Sequence, residues 1–169
     1  MTVKKALHIE PMPDVLTFGI KGANAEARLK ALGITMPEAP NHWCLQAENM
    51  LVMRLGATEF LIECAQANPQ CAQLKHALSQ AEAGLYPVAR HDASWQLQGE
   101  AVVDLLAEIC LLDLPHATQD RRVCLTQLAG INAIVIQQSM QENTLYRIWC
   151  DGSYQQTLQE ILMHINVTH

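Results

Sequence analysis

The chain lacks the motifs by which many proteins hold a nucleotide or a metal ion. Its eight glycines never fall in the Gly-x-Gly-x-x-Gly spacing of a dinucleotide-binding loop, and no Walker-type phosphate loop occurs. No Cys-x-x-Cys or His-Glu-x-x-His motif is present to start a zinc site. The sequence therefore predicts that this chain holds no FAD or NAD by such loops and binds no metal.

Charge and long apolar runs are also scarce. Only 17% of the residues are charged, the net charge is -6, and the eleven Lys and Arg are scattered, with only Lys4-Lys5 and Arg121-Arg122 adjacent. A nucleic-acid binder would carry a basic stripe. No run approaches the roughly 18–20 apolar residues of a membrane helix, and none follows the amino-terminal lysines as in a secretory signal. We expect a cytoplasmic globular protein with no nucleic-acid or membrane partner.

The six cysteines lie at 44, 64, 71, 110, 124 and 150. All of them fall in predicted helices, predicted strands or their edges. In a cytosolic chain of this size, buried free thiols are commoner than disulfides. The sequence therefore predicts six unpaired cysteines.

Two halves, 1–85 and 86–169, share one predicted order of elements: strand, helix, three strands, helix. Short turns between successive strands favour antiparallel pairing, and the interspersed helices favour packing on one sheet face. The predicted class is α+β, with two similar modules and mainly antiparallel sheets sharing a core. The predicted strands are 15–20, 43–46, 51–55, 59–64, 93–98, 123–128, 133–137 and 145–150, and the predicted helices are 24–32, 69–81, 102–109 and 153–165.

Local signals refine these elements. Asn68-Pro69 predicts a capped helix start, and Gly84 is predicted to terminate that helix. Ser153 with Gln156 predicts a capping box. Alternation in the strand after residue 92 puts Ala93, Trp95 and Leu97 inward and Ser94 outward. The last helix is predicted to bury one stripe of apolar residues: Tyr154, Leu158, Ile161, Leu162 and Ile165.

Several residues could carry chemistry, but a structural role is favoured for each. His91, Asp92 and Ser94 include the residue types of a catalytic triad. Because adjacent residues on a strand point to opposite faces, this run cannot form a triad by itself. Asp113 follows a helix, where an acid usually bonds turn amides. A reactive Cys124 would need a cationic neighbour such as Arg122, which shares its predicted strand face with Thr126.

A structural role is also favoured for the candidate metal ligands and for the tryptophans. His42 and Cys44 could point the same way on a strand, but two ligands do not make a zinc site. Trp43, Trp95 and Trp149 could each stack on a folate ring, although core packing or a subunit contact is commoner for a strand tryptophan. We predict no catalytic, cofactor-binding or metal-binding residue, and we name Trp43 and Trp149 as candidate anchors for a partner.

The carboxyl-terminal half contains, in order, the motifs Arg90-His91-Asp92-Ala93-Ser94, Gly99, Leu111-Leu112-Asp113-Leu114, Arg122 to Ala129 and Gly152-Ser153-Tyr154. This order of motifs resembles the gamma subunit of heterotetrameric sarcosine oxidase. The wider group is the folate-binding aminomethyltransferase-like proteins, including the T-protein of glycine cleavage. The segment 54–62 extends the resemblance, since it is similar to a Leu-Gly-Pro-Asp-Glu-Trp-Leu signature with substitutions at Ala57, Thr58 and Phe60.

The resemblance implies a noncatalytic structural subunit of a flavoprotein amine oxidase. FAD, FMN, NAD and tetrahydrofolate would then lie on larger partner subunits. The folate-dependent transferases carry paired acids in the hairpin that corresponds to residues 128–135, whereas this chain has the neutral Asn132, which cannot act as a base. The chain also ends where a transferase would add a domain. Because a similar subunit occurs in N-methylglutamate dehydrogenase, the resemblance does not identify the amine that the complex oxidises.

Two alternatives remain. One is a stand-alone folate-binding protein related to the aminomethyltransferases, which calorimetry with tetrahydrofolate would detect. The other is a small enzyme of a type without a recognised motif.

Overall fold

The computed structural model describes residues 6–46, 49–80, 82–140 and 143–168. The chain forms two compact units. The middle unit runs from Asp14 to His91, and the terminal unit combines the described residues up to Pro13 with those from Asp92 onward. Each unit contains one antiparallel sheet and helices, which confirms the predicted α+β class.

The middle unit is a five-stranded sheet in the order β3-β4-β5-β2-β6. Two helices pack on one face and, with that face, form one apolar cluster that includes Ile20, Leu29, Ile62 and Leu74. Its elements are β2 (Val15–Lys21), α1 (Ala25–Ala31), β3 (His42–Gln46), β4 (Met50–Arg54), β5 (Glu59–Ala65), α2 (Pro69–Leu78) and β6 (Tyr86–Val88).

The terminal unit has a five-stranded sheet in the order β1-β7-β10-β9-β8. Its three helices cover one face, where Trp95, Leu105, Tyr146 and Leu162 belong to a second apolar cluster. The elements are β1 (His8–Pro11), β7 (Asp92–Gln98), α3 (Val102–Ile109), α4 (Leu114–Ala117), β8 (Val123–Leu128), β9 (Ile131–Met140), β10 (Asn143–Asp151) and α5 (Gln155–Thr168).

The two sheets have the same topology. In each, the first long strand lies beside the third strand of the following three-stranded meander, and a short strand pairs with its other side. That short strand is β6 in the middle unit and β1 in the terminal unit. The repetition of elements predicted from the sequence is therefore present in the fold.

The boundaries of the two units, at Pro13–Asp14 and His91–Asp92, differ from the predicted boundary between residues 85 and 86. β6 extends the middle unit to His91, and β1 adds the amino-terminal segment to the terminal unit. Neither strand was predicted, because β1 has four residues and β6 has three, and each contains a proline. A proline argues against a central strand but is tolerated on an edge strand, where both of these lie.

Both faces of each sheet contain buried residues. In the terminal unit Ile136, Arg147 and Trp149 are buried on the face opposite the three helices, and Ser94 is only 4% exposed. The prediction that Ser94 points outward to solvent is wrong. Ala93, Trp95 and Leu97 lie in the core of the unit as predicted.

Helix ends agree with some local signals and not with others. The Asn68 side chain accepts a hydrogen bond from the Gln70 amide at 2.9 Å, as predicted, but α2 ends at Leu78, well before Gly84. The Ser153–Gln156 capping box is wrong, because Asp151 accepts the hydrogen bond from the Ser153 amide. Tyr154 is 50% exposed, whereas the rest of the predicted α5 stripe lies in or against the core.

The prediction of six free thiols is wrong for two cysteines. Cys64 on β5 and Cys71 on α2 form a disulfide whose Cα atoms are 6.2 Å apart, and both residues are buried. The strand and the helix meet in the core of the middle unit, so the two side chains converge although neither belongs to a Cys-x-x-Cys motif. Disulfides are rare in cytosolic proteins, so this pair does not favour the predicted cytoplasmic location.

We expect replacement of both disulfide cysteines by alanine to lower the free energy of unfolding by about 2 kcal/mol, the chain-entropy value for a loop this short. Urea unfolding of the oxidised wild-type chain and the double variant measures the change. Cys44→Ala, which removes a free thiol, is the control and should have little effect. Titration of the unfolded, unreduced chain should find four thiols; six would contradict the disulfide.

Candidate functional site

The hairpin between β8 and β9 is where the resemblance would place catalytic acids. Its turn is formed by Ala129 and Gly130, with φ values of 49° and 82°, and β9 begins at Ile131, two residues before the predicted strand start at 133. Asn132 then lies on β9, opposite Gln127, and its side-chain oxygen accepts a hydrogen bond from Gln127 Nε2 at 3.0 Å. Two neutral amides thus satisfy each other at an exposed position. The residues present do not fit a folate site that depends on a carboxylate here.

The residues around Asp92 do not form a triad. His91 precedes β7, Asp92 is paired in register with Asp151, and Ser94 with Trp149. Asp151 accepts hydrogen bonds from the amide and hydroxyl of Ser153 at the start of the last helical segment. The local chemistry is therefore that of a strand entry and a helix cap.

The free cysteines of the terminal unit are buried thiols. Cys124 and Thr126 face the core from β8, and Cys110, the residue after α3, places its sulfur 3.6 Å from the Thr126 hydroxyl. Burial raises the pKa of Cys124, and the nearby Cys110 raises it further. Burial, with smaller effects from Asp92 and Asp151, raises the pKa of Cys150 to about 11. Both thiols stay protonated near neutral pH and are poor nucleophiles.

Arg122 does not activate Cys124. It is exposed at the residue before β8, and the pKa of Cys124 moves in the direction that burial dictates. Asp113 has the structural role that the sequence favoured: it caps α4, where its carboxylate accepts a hydrogen bond from the His116 amide at 3.4 Å.

The two potential metal ligands on β3 have other partners. The His42 ring nitrogen Nδ1 lies 2.8 Å from the Pro40 carbonyl, and Cys44 Sγ donates to the Thr35 carbonyl at 3.5 Å. Within the described part of the chain, no group of three or more His, Cys, Asp and Glu side chains is arranged to hold a metal.

The tryptophans are buried, so the suggestion that Trp43 and Trp149 anchor a partner is wrong. Trp43 is 7% exposed and Trp149 is not exposed at all. The Arg147 guanidinium lies 4.9 Å from the centre of the Trp149 ring, close enough for a cation–π interaction. Trp95 lies in the core of the terminal unit.

Exposed apolar residues were missed by the sequence reasoning. In the terminal unit Leu111, Leu112 and Leu125 are exposed, Leu111 completely. Leu125 is the middle of β8, an edge strand. The run from Val123 to Leu128 contains no charge, but the sequence does not reveal which strand lies at an edge.

A shallow open groove follows the start of α5. It is lined mainly by polar residues of one helix face, among them Ser153, Gln156 and Glu160. Gln156 and Glu160 hydrogen-bond to each other at 2.9 Å, so the groove is not organised around a free acid. None of the helices in the described part of the chain has the length and apolar character needed to cross a membrane.

Comparison with known proteins gives structural relatives only. No protein-family model and no curated protein matches the chain. The fold is similar to a chain of heterotetrameric sarcosine oxidase from Corynebacterium sp. U-96, solved in complex with pyrrole 2-carboxylate, with a TM-score of 0.77 and 23% identity over 96% of this chain and 84% of that chain. The two chains are therefore close in length.

A second similar structure is the glycine cleavage system aminomethyltransferase T from Bartonella henselae. It matches with a TM-score of 0.64 and 14% identity over 93% of this chain. The chain spans only 45% of that protein. The two TM-scores show a shared fold, which confirms the fold relationship implied by the sequence motifs, and at identities this low the similarity shows the fold alone.

Proposed function

We propose that this chain is a noncatalytic, gamma-type structural subunit of a heteromeric flavoprotein amine oxidase such as sarcosine oxidase. The observation that carries the proposal is the near full-length fold match with a chain of a heterotetrameric sarcosine oxidase, on both sides of the alignment. Larger flavoprotein subunits would hold FAD, FMN, NAD and tetrahydrofolate. The amine, whether sarcosine, N-methylglutamate or another, would be chosen by those subunits.

The chemistry of the described residues supports a role without catalysis. The hairpin offers the Gln127–Asn132 amide pair in place of acids. The raised pKa values of Cys124 and Cys150 keep both thiols protonated. A chain of this kind contributes to an enzyme through contact surfaces.

The test is reconstitution of the complex with and without this chain. The chain should co-purify with a yellow flavoprotein when it is co-expressed with the subunits encoded by its neighbouring genes, and it should be colourless alone. Without it, the yield of assembled complex should fall several-fold, while turnover per bound flavin in the remaining complex stays close to normal. Full assembly and turnover without this chain would refute the proposal.

An Asn132→Ala variant separates this role from the folate-binding alternative. Because Asn132 bonds only its neighbour Gln127 among the contacts described, assembly and turnover should be unchanged. Calorimetry of the isolated chain with tetrahydrofolate should show no binding in the low micromolar range. A one-to-one isotherm that Asn132→Ala abolishes would favour the stand-alone folate-binding protein.

A further inference from the structure

The repeated topology allows the same strand-to-helix junction to be compared in the two units. Cys64 is the second-last residue of β5 and lies opposite Leu16, the second residue of β2. Cys150 is the second-last residue of β10 and lies opposite Ala93, the second residue of β7. The two cysteines therefore occupy equivalent positions at the end of the meander, shortly before the helix that follows it.

Only one of these two cysteines is bonded to the helix that follows. Cys64 forms the disulfide with Cys71 in the first turn of α2, whereas Cys150 keeps a free thiol. The junction in the terminal unit therefore shows that this fold does not require a disulfide here. α5 packs on its sheet without a covalent bond, through four apolar residues: Leu158, Ile161, Leu162 and Ile165.

α2 has less apolar packing than α5. It has ten residues, of which only Cys71, Leu74 and Leu78 are buried. Because a helix of that length is unstable alone in water, its attachment to the sheet keeps it folded. The Arg28 side chain donates to a carbonyl in the last turn of α2 at 3.3 Å. In the first turn, Cys71 supplies the buried side chain and Asn68 supplies the cap.

We propose that the Cys64–Cys71 disulfide is a redox-sensitive lock on the amino-terminal half of α2. While the disulfide is intact, the first turn of α2 is fixed to β5. After reduction by a dithiol, the first two turns open from the sheet far more often, while the rest of the chain keeps its fold. This device does not depend on the proposed subunit role.

The redox step is a thiol–disulfide exchange. One thiolate of the dithiol attacks a sulfur of the disulfide and forms a mixed disulfide, which the second thiolate of the reductant then resolves. The reductant leaves as a disulfide, and Cys64 and Cys71 together gain two electrons and two protons. Because these residues are only 1% and 0% exposed, the dithiol reaches their sulfurs after the first turn of α2 has opened. Opening therefore controls the rate of reduction.

Hydrogen exchange of the wild-type chain with and without dithiothreitol tests the lock. Reduction should speed exchange of the helical amides at residues 73–76 at least about 10-fold, because the loop constraint is lost. The amides of α5 should change little. The double variant Cys64→Ala/Cys71→Ala should exchange like the reduced wild-type chain and should not respond to dithiothreitol. Reoxidation of the wild-type chain by oxidised glutathione should restore slow exchange.

A matched pair of cap variants tests whether opening controls reduction. Asn68→Ala removes the oxygen that accepts the Gln70 amide, so the folded chain should be reduced several-fold faster. Asp113→Ala removes the corresponding cap from α4 in the terminal unit and should leave the rate unchanged.

Four results would each overturn the proposal. The first is a disulfide that resists millimolar dithiothreitol in the folded chain. The second is reduction that speeds exchange in α2 and α5 equally, since the effect is then global. The third is equal reduction rates for Asn68→Ala, Asp113→Ala and the wild-type chain. The fourth is titration of all six cysteines as thiols in a chain purified without reductant.

Discussion

Replacement of Gly99 by alanine should prevent the terminal unit from folding stably, with a loss of at least about 4 kcal/mol. Gly99 follows β7 with a φ of +124°, a conformation that L-residues rarely adopt. A Cβ atom there would lie 2.3 Å from the Ala6 carbonyl oxygen and 2.8 Å from its carbon. Both atoms are backbone, so no side-chain rotation relieves the clash. The Ala101 amide donates to the same carbonyl at 3.2 Å, so the segment before β1 would have to move.

A Gly130→Ala variant separates the two causes of that loss, which are backbone strain at a positive φ and the clash with the Ala6 backbone. Gly130 also has a positive φ, +82°, but a Cβ atom there meets nothing within 4 Å. It should cost only about 1 kcal/mol, from backbone strain alone. Urea unfolding followed by circular dichroism compares the two variants, with soluble yield as the readout if Gly99→Ala does not fold. A Gly99→Ala variant as stable as Gly130→Ala would show that the close approach to Ala6 is not required.

The same glycine device occurs in the middle unit. Gly22 follows β2 with a φ of +124°, and a Cβ atom there would lie 2.3 Å from the Gly84 carbonyl oxygen. The Asn24 amide donates to that carbonyl at 3.0 Å, as Ala101 does to Ala6. The two units thus repeat a backbone arrangement and not only an order of strands, and Gly22 and Gly99 occupy equivalent places in it.

The repeat of elements could be predicted from the sequence, but its pairing could not. Turn residues and apolar spacing indicated the long strands and the main helices, because those signals are local. β1 pairs with β7 and β6 pairs with β2, so each of these short strands joins a strand from the other predicted half of the chain. Their prolines also gave no strand signal. The boundary between the units was therefore placed at residue 85, although β6 continues the middle sheet.

At the candidate site, too, some features could be predicted from the sequence and others could not. The absence of an acid at Asn132 is visible in the sequence, because it concerns one residue type at one position in a motif. The disulfide between Cys64 and Cys71 depends on a strand and a helix meeting in the core, which their spacing does not reveal. Trp43 and Trp149 looked like surface anchors because a strand tryptophan suits either a core or an interface, and only the fold shows that both are buried.

Arg54 organises two loops of the middle unit, a role that its place in a family-like segment did not reveal. One terminal nitrogen donates to the Pro37 carbonyl at 3.2 Å and the Glu38 carbonyl at 2.9 Å. The other donates to the Ala57 carbonyl at 2.9 Å and the Glu26 carboxylate at 3.1 Å. The guanidinium also lies 5.3 Å from the centre of the Phe60 ring. Lysine cannot reproduce this geometry, because its ammonium is a single point of donation.

We expect Arg54→Met to lower the free energy of unfolding by about 3 kcal/mol, since hydrogen bonds from a charged group are lost and carbonyls are left unpaired. Lys30→Met is the matched control: Lys30 donates to the same Glu26 carboxylate at 2.7 Å, but its side chain is 65% exposed, against 13% for Arg54. An exposed pair of this kind contributes roughly 0–1 kcal/mol. Urea unfolding measures both losses, and hydrogen exchange should speed up around Glu38 and Ala57 in Arg54→Met only. Equal, small losses in the two variants would mean that Arg54 acts as one more surface charge and that the loops are held by the backbone around them.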